Sequence, residues 1–216
     1  MDKNLGKDGN LSIIQKLDII NSNRVNKKIY ESLKSKFDNL KIEILASNKG
    51  NLFDLMEKGL LEGWCWQTTE TAILFLEDNY YIKRGNLITE NNRKYYHSWI
   101  EYDNYVFDPC LNIFVNKKIY DYIFTPEVIA TISSKQVKDY FIKYIKENKT
   151  KKQEKSYLDN FLSRVCSESY ERQKNEVLIL SNDDVYSPMY RNNVGYKAQI
   201  EDDKILSLTA HYYLNG

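Results

Sequence analysis

One stretch of this chain, Tyr95 to Asp108, leaves the backbone very little choice. Two runs rich in aromatic and β-branched residues, His97-Ser98-Trp99-Ile100-Glu101-Tyr102 and Tyr105-Val106-Phe107-Asp108, flank the pair Asp103-Asn104. Such runs favour extended chain, and a polar pair of this kind suits a two-residue hairpin turn. With Asp103 and Asn104 as the loop, Tyr102 faces Tyr105; counting outward sets Trp99 opposite Asp108 and His97 opposite Cys110. His97 and Asp108 are then diagonal neighbours on one face, about 7–8 Å apart at the backbone. An Asp carboxylate can reach an imidazole nitrogen over that distance, and the hydrogen bond would fix the ring's tautomer and orientation.

An oriented histidine invites the question of a nucleophile. Cys65 follows Gly63-Trp64 and precedes a segment, Trp66 to Leu76, that lacks Gly and Pro and ends apolar before Glu77-Asp78-Asn79. This pattern predicts a buried helix with Cys65 at its start. A free thiol titrates near pH 8.5 and needs an imidazolium or a helix N-terminus to ionise at neutral pH. At that position the amides of the first turn and the helix dipole favour a thiolate, and the same amides can receive an oxyanion. Singly, each residue has a plain structural explanation: a small core cysteine, a satisfied buried histidine, a turn aspartate. Together, the three point to a nucleophile, Cys65, a base, His97, and an orienting carboxylate, Asp108.

The remaining chain reads as mixed helix and strand. Ile13, Ile14, Leu17 and Ile20, and then Ile29, Leu33 and Phe37, recur at helical spacing, and Lys41 to Leu45 reads as a short strand. Leu52, Leu55 and Met56 suggest a helix ending near Lys58-Gly59. Tyr80–Lys83 and Asn86–Ile88 look extended on either side of Gly85, and a polar loop runs from Thr89 to Lys94. Thr125-Pro126-Glu127 has the form of a helix start. Val137 to Ile145 and Leu158 to Cys166 follow the amphipathic helical template, separated by a lysine-rich run read as a solvated linker. Val177 to Leu180 is strand-like, and Gly195 to Tyr213 predicts a hairpin turning near Asp202-Asp203. The whole is expected to form a single domain over 1–216, with a core over about 40–124 and a helical and hairpin extension over 125–216.

Composition narrows the function. Lys and Arg total 31 against 30 Asp and Glu, so no overall field would draw the chain to nucleic acid or an anionic membrane. The longest apolar stretches, such as Ala72 to Leu76, are far shorter than a membrane span. A polar start, Met1 to Gly6, and three widely spaced cysteines, Cys65, Cys110 and Cys166, lead to the expectation of a cytoplasmic protein with free thiols.

Gly63-Trp64-Cys65-Trp66, His97-Ser98-Trp99-Ile100-Glu101 and Tyr105-Val106-Phe107-Asp108-Pro109 resemble the Cys, His and Asp motifs of transglutaminase-like cysteine proteases. The resemblance covers about Asn51 to Phe114. It implies an α+β, papain-like core, with the nucleophile at a helix N-terminus packed on an antiparallel sheet that supplies His97 and Asp108 from adjacent strands. The Cys-Trp pair is also similar to papain itself, but the interval from Cys65 to His97 is much too short for papain proper. Gln67-Thr68-Thr69 departs from the small apolar residues common after the family's cysteine, and the carboxy-terminal half resembles nothing further. Members of that group form an acyl-thioester, so the resemblance implies a peptide, protein or small amide substrate and no cofactor.

Two other readings compete. Cys65, His97, Asp108 and Cys110 are all competent zinc ligands, though none has finger-like spacing. A non-catalytic binding module could instead present the tyrosine-rich surface, with 18 tyrosines, to a peptide or protein partner. Within the catalytic reading, Cys110 is the rival nucleophile, and His211 is a rival base whose neighbour Thr209 cannot orient it. Trp64, Trp66 and Trp99 are read as core before groove lining, and the stretch from Asp183 to Tyr196 as the place for substrate-selecting loops.

Overall fold

The computed structural model describes residues 13–45, 47–88, 93–147 and 192–214. Two amphipathic helices, α1 (Ile13–Ser22) and α2 (Lys27–Ser35), lead into strands β1 (Leu40–Ile44) and β2 (Asn48–Asn51). Two more helices follow, α3 (Leu52–Glu57) and α4 (Cys65–Ile73), then strands β3 (Tyr80–Ile88), β4 (Lys94–Tyr102), β5 (Tyr105–Asp108) and β6 (Ile113–Asn116). Helix α5 (Lys117–Phe124), strand β7 (Glu127–Ser133), helix α6 (Ser134–Glu147) and the hairpin β8 (Asn192–Glu201) and β9 (Lys204–Leu214) complete the described chain. The result is an α+β fold.

The strands form two sheets. One has five strands in the order β6-β5-β4-β3-β7, with every neighbour antiparallel. The other has four, in the order β2-β1-β9-β8, and β1 runs parallel to β9. Both faces of the five-stranded sheet are buried. Ile100, Phe107 and Phe114 join the larger core with α4 and the four-stranded sheet. Trp99, Val106 and Val115 join a smaller one with Ile20 of α1 and Tyr120 and Ile123 of α5. Helix α4 packs on β4 and β3. On its other side Trp64, just before the helix, stacks on Tyr212 of β9 at 5.2 Å.

The hairpin forms with the register expected from Asp103-Asn104: Tyr102 pairs with Tyr105, and Asp103 takes a left-handed φ of 48°, which Asp tolerates. Pairing stops sooner than that count implies, at Ile100 with Phe107, because the chain turns at Pro109 to Asn112 and returns as β6. Cys110 therefore lies in a turn. The terminal hairpin also forms, with both Asp202 and Asp203 at positive φ, as a two-residue turn matching strand twist requires. Helix α3 ends as the Gly59 signal suggests: Gly59, at φ 67°, donates to Met56 C=O and Leu60 to Leu55 C=O, a Schellman closure.

One expectation is overturned. Thr125-Pro126-Glu127 does not open a helix; Thr125 closes α5 in a left-handed conformation, and β7 follows. The β-branched run Val128, Ile129, Thr131, Ile132 outweighs the capping pattern, and the residue before a proline is biased away from helix in any case. Strand β6 and helix α5 were not anticipated. The expected helix Leu158–Cys166 and strand Val177–Leu180 lie outside the described residues, as does most of the lysine-rich run.

Gly85 holds the centre of the five-stranded sheet together. It pairs with His97 on one side and Val128 on the other, at a bulge next to Arg84, and a Cβ there would stand 2.0 Å from Glu127 O. β7 can lie this close only because position 85 has no side chain. Gly85→Ala is therefore expected to lower stability by about 1–3 kcal/mol, read as a fall in the urea midpoint; an unchanged midpoint would show that β7 is free to move.

Candidate active site

Helix α4 carries Cys65 as its first residue. The helices α2, α3 and α5 are each capped by an asparagine, Asn26, Asn51 and Asn116, whose side chain accepts an amide of the first turn. Trp64, at the N-cap of α4, offers no such cap. The helical ladder begins with Thr68 N–H donating to Trp64 C=O at 2.8 Å, so Cys65 sits ahead of the first amide the ladder consumes. Gly63, at φ 81°, makes the turn that brings the chain into this start.

His97 and Asp108 meet as the hairpin count predicts. His97 Nε2 and Asp108 Oδ2 are 2.8 Å apart, and the residues are 1% and 0% exposed. The carboxylate is fully engaged: Tyr120 donates its hydroxyl to Oδ2 at 2.9 Å, and Leu111 N–H donates to Oδ1 at 3.2 Å. The plain reading of Asp108 as a turn residue thus coexists with its contact to histidine. Since Nε2 is used, Nδ1 is the ring nitrogen left over, and it is buried without a hydrogen-bond partner. His97 lies beyond the last β4–β5 rung, where β4 keeps only its β3 neighbour, Gly85.

The electrostatics follow from this enclosure. Burial alone would lower the His97 pKa, but the Asp108 and Cys65 charges, with the Asp108 hydrogen bond to the ring, outweigh it and raise the value to about 10. Burial pushes the Tyr120 phenol well up, and the Asp108 charge adds to this, so Tyr120 remains a donor. Burial likewise holds the Cys110 thiol well above its usual range, and the Cys65 and Asp108 charges raise it further. Cys110, the rival nucleophile, is therefore kept neutral.

Of the polar residues after Cys65, Thr69, Glu70 and Thr71 have partners on the sheets, while the Thr68 hydroxyl is buried without a hydrogen bond. Thr69 Oγ1 meets Ser98 Oγ at 2.7 Å and also Cys65 C=O at 2.8 Å, tying the helix start to the residue beside His97. Glu70 forms an ion pair with Arg84 of β3, both about 1% exposed. The Arg84 guanidinium also lies 3.8 Å from the centre of the Trp66 ring. Thr71 accepts from the Tyr212 hydroxyl at 3.1 Å.

Trp64, Trp66 and Trp99 are all buried, as core residues are. His211 lies in the four-stranded sheet with Nδ1 3.1 Å from Glu43 Oε2, a carboxylate companion on β1 that local sequence did not reveal. Cys166 is outside the described residues. Among the described residues no group of three or more His, Cys, Asp or Glu is arranged to hold a metal ion, so the zinc alternative finds no ligand set. No described helix is long and apolar enough to cross a membrane. A groove of about 640 Å³ between α2 and the β4–β5 turn, reaching Lys28, Leu33, Tyr80 and Tyr102, contains none of the three site residues. Tyr120, Ser98 and Arg84 were missed in the sequence; only Asn116 before an amphipathic run could have located α5, and with it Tyr120.

The chain matches no family model, no curated protein and no solved structure. What the site itself defines is a thiol at a helix N-terminus beside a buried His–Asp pair, an arrangement consistent with a cysteine-hydrolase type of triad.

A pH effect follows from the His97 shift. In an unfolded chain the ring titrates near 6.5, and in the fold near 10. A raised pKa gives stability that is complete below the unfolded value and lost as pH rises through the folded one. The urea midpoint should therefore fall between about pH 6.5 and 10. In Asp108→Asn this fall should largely vanish; a parallel fall in both proteins would assign it elsewhere.

Proposed function

We propose that this protein is a cysteine-dependent enzyme of the transglutaminase-like kind, acting on an amide through Cys65, His97 and Asp108. The observation that carries the reading is one buried imidazole held through Nε2 by the Asp108 carboxylate and close enough to Cys65 for that residue's charge to act on it. The three motifs that resemble the family hold these same residues, in the same order. The antiparallel sheet beneath α4 agrees with the core that the resemblance implies.

In this reading the Cys65 thiolate attacks the carbonyl carbon of an amide, and the first-turn amides of α4 receive the oxyanion. His97, protonated across neutral pH, gives its proton to the leaving nitrogen as the C–N bond breaks. A thioester on Cys65 and a free amine result. The now neutral His97 then takes a proton from water or from an acceptor amine, which attacks the thioester; the product is a carboxylic acid or a new amide, and the thiolate–imidazolium pair is restored. Asp108 keeps the ring oriented throughout. The substrate is a peptide, a protein or a small amide.

The decisive measurement is iodoacetamide labelling of each cysteine against pH, followed by mass spectrometry. At pH 6–7 Cys65 should react at least about tenfold faster than Cys110, as a thiolate does relative to a thiol, and His97→Ala should abolish that advantage. If Cys65 labels no faster than Cys110 in the parent protein, catalysis is excluded and a binding module on the same fold becomes the better reading.

A further inference from the structure

The proposed nucleophile and base are nearly inaccessible, with Cys65 4% and His97 1% exposed. What covers the imidazole is therefore what a substrate meets. On β4 the residues Tyr95, His97 and Trp99 point to one face, and their rings form a continuous stack. Tyr95 lies 5.6 Å from His97, and Trp99 lies 6.5 Å away on the other side. The two covers differ. Trp99 is fully buried and continues into the core through Tyr120, at 5.8 Å. Tyr95 is 43% exposed and ends the stack at the surface.

A second exposed apolar side chain is anchored to the same centre. Leu111, 37% exposed, hangs from the turn whose amide holds Asp108 Oδ1. Exposed aromatic and aliphatic residues are ordinary one at a time. Here each is fixed directly to a member of the candidate triad, Tyr95 to His97 and Leu111 to Asp108. Among the ionisable groups whose charges act on the Tyr95 phenol, Cys65, Cys110, Asp108 and Glu62 are all neutral or anionic. Glu62 is exposed, in the turn just before Cys65.

We propose that Tyr95 is a substrate-contacting, specificity-determining residue. Its outward face is the wall against which the group next to the scissile carbonyl packs, and that group is apolar, preferably aromatic, and not anionic. This rests on the proposed thiol chemistry and names the kind of acyl group it serves. A flat ring laid on Tyr95 extends the existing stack by one member in an offset or tilted contact. An anionic group would add to Glu62, Asp108 and the Cys65 thiolate, and the cation there, the His97 imidazolium, is already paired with Asp108.

Alkylating probes test this on the intact chain without a known substrate. Cys65 labelling rates are measured with iodoacetamide, N-benzyl-iodoacetamide and iodoacetate, each divided by the rate with glutathione to remove intrinsic reactivity. In the parent protein the benzyl probe should be favoured over iodoacetamide and iodoacetate disfavoured. Tyr95→Ala and Tyr95→Leu should both reduce the benzyl preference about threefold to tenfold, the size of one aromatic contact. Tyr95→Phe, which retains the ring, should keep it. Glu62→Gln should narrow the gap between iodoacetate and iodoacetamide. Circular dichroism of each variant verifies that it is folded; should Tyr95→Ala fail this check, Tyr95→Leu gives the answer. A benzyl preference that is absent in the parent, or unchanged in Tyr95→Leu, overturns the inference while leaving the function standing. Cys65 inert towards all three probes overturns the function itself, and the inference with it.

Discussion

A helix buried on every side that carries an unbroken polar run needs partners above all for its charged position, and α4 is such a helix. Every residue from Cys65 to Ile73 is buried, including Gln67, Thr68, Thr69, Glu70 and Thr71. The most demanding of these is Glu70, since an uncompensated carboxylate in the interior costs several kcal/mol. Arg84 answers it from β3 and lays its guanidinium on Trp66 as well. Losing one partner of such a pair typically costs about 3–5 kcal/mol, which makes this contact a strict condition on where α4 may sit. Thr69 with Ser98 and Thr71 with Tyr212 add neutral conditions towards each sheet. Apolar packing would allow the helix to slide; these pairings fix its rotation and depth.

That fixed position gives the site its geometry. Arg84 pairs with Ser98 across β3 and β4, and Ser98 adjoins His97, so the contacts that locate α4 also locate the strand that bears the imidazole. On the opposite face the ring stack and the Tyr120–Asp108 hydrogen bond hold His97 from beneath. Cys65 is positioned by the first set of contacts and His97 by both. The two cores meet at the candidate triad without either containing it.

Much of this was readable in advance because it depends on short-range rules. The period-2 pattern and the Asp103-Asn104 pair determined the hairpin register, and the register brought His97 to Asp108. The Gly63 turn and the absence of helix breakers after it placed Cys65 at a helix start. What escaped depends on distant partners. Nothing local tells that Glu70 faces Arg84 or that Tyr120 reaches Asp108, because those contacts exist only once the sheets are assembled. Thr125-Pro126 misled for a different reason: the same residues that can cap a helix N-terminus can also follow a helix end, and only the β-branched run after them decides.

The parallel pairing of β1 with β9 has a consequence for how the molecule comes into being. Strand β1 leaves a ribosome early, yet one of its two neighbours, β9, is among the last described residues to emerge. Until then the four-stranded sheet is open between β1 and β8, and Trp64, next to Cys65, and Thr71, further along α4, lack Tyr212. Long-range closure of this sort is slow. A nascent chain can thus build the five-stranded sheet and the His–Asp pair while the cysteine helix is still covered on one side only. The reactive centre is completed only once β9 has emerged, so a chain interrupted before β9 carries a thiol that has not yet been set in place.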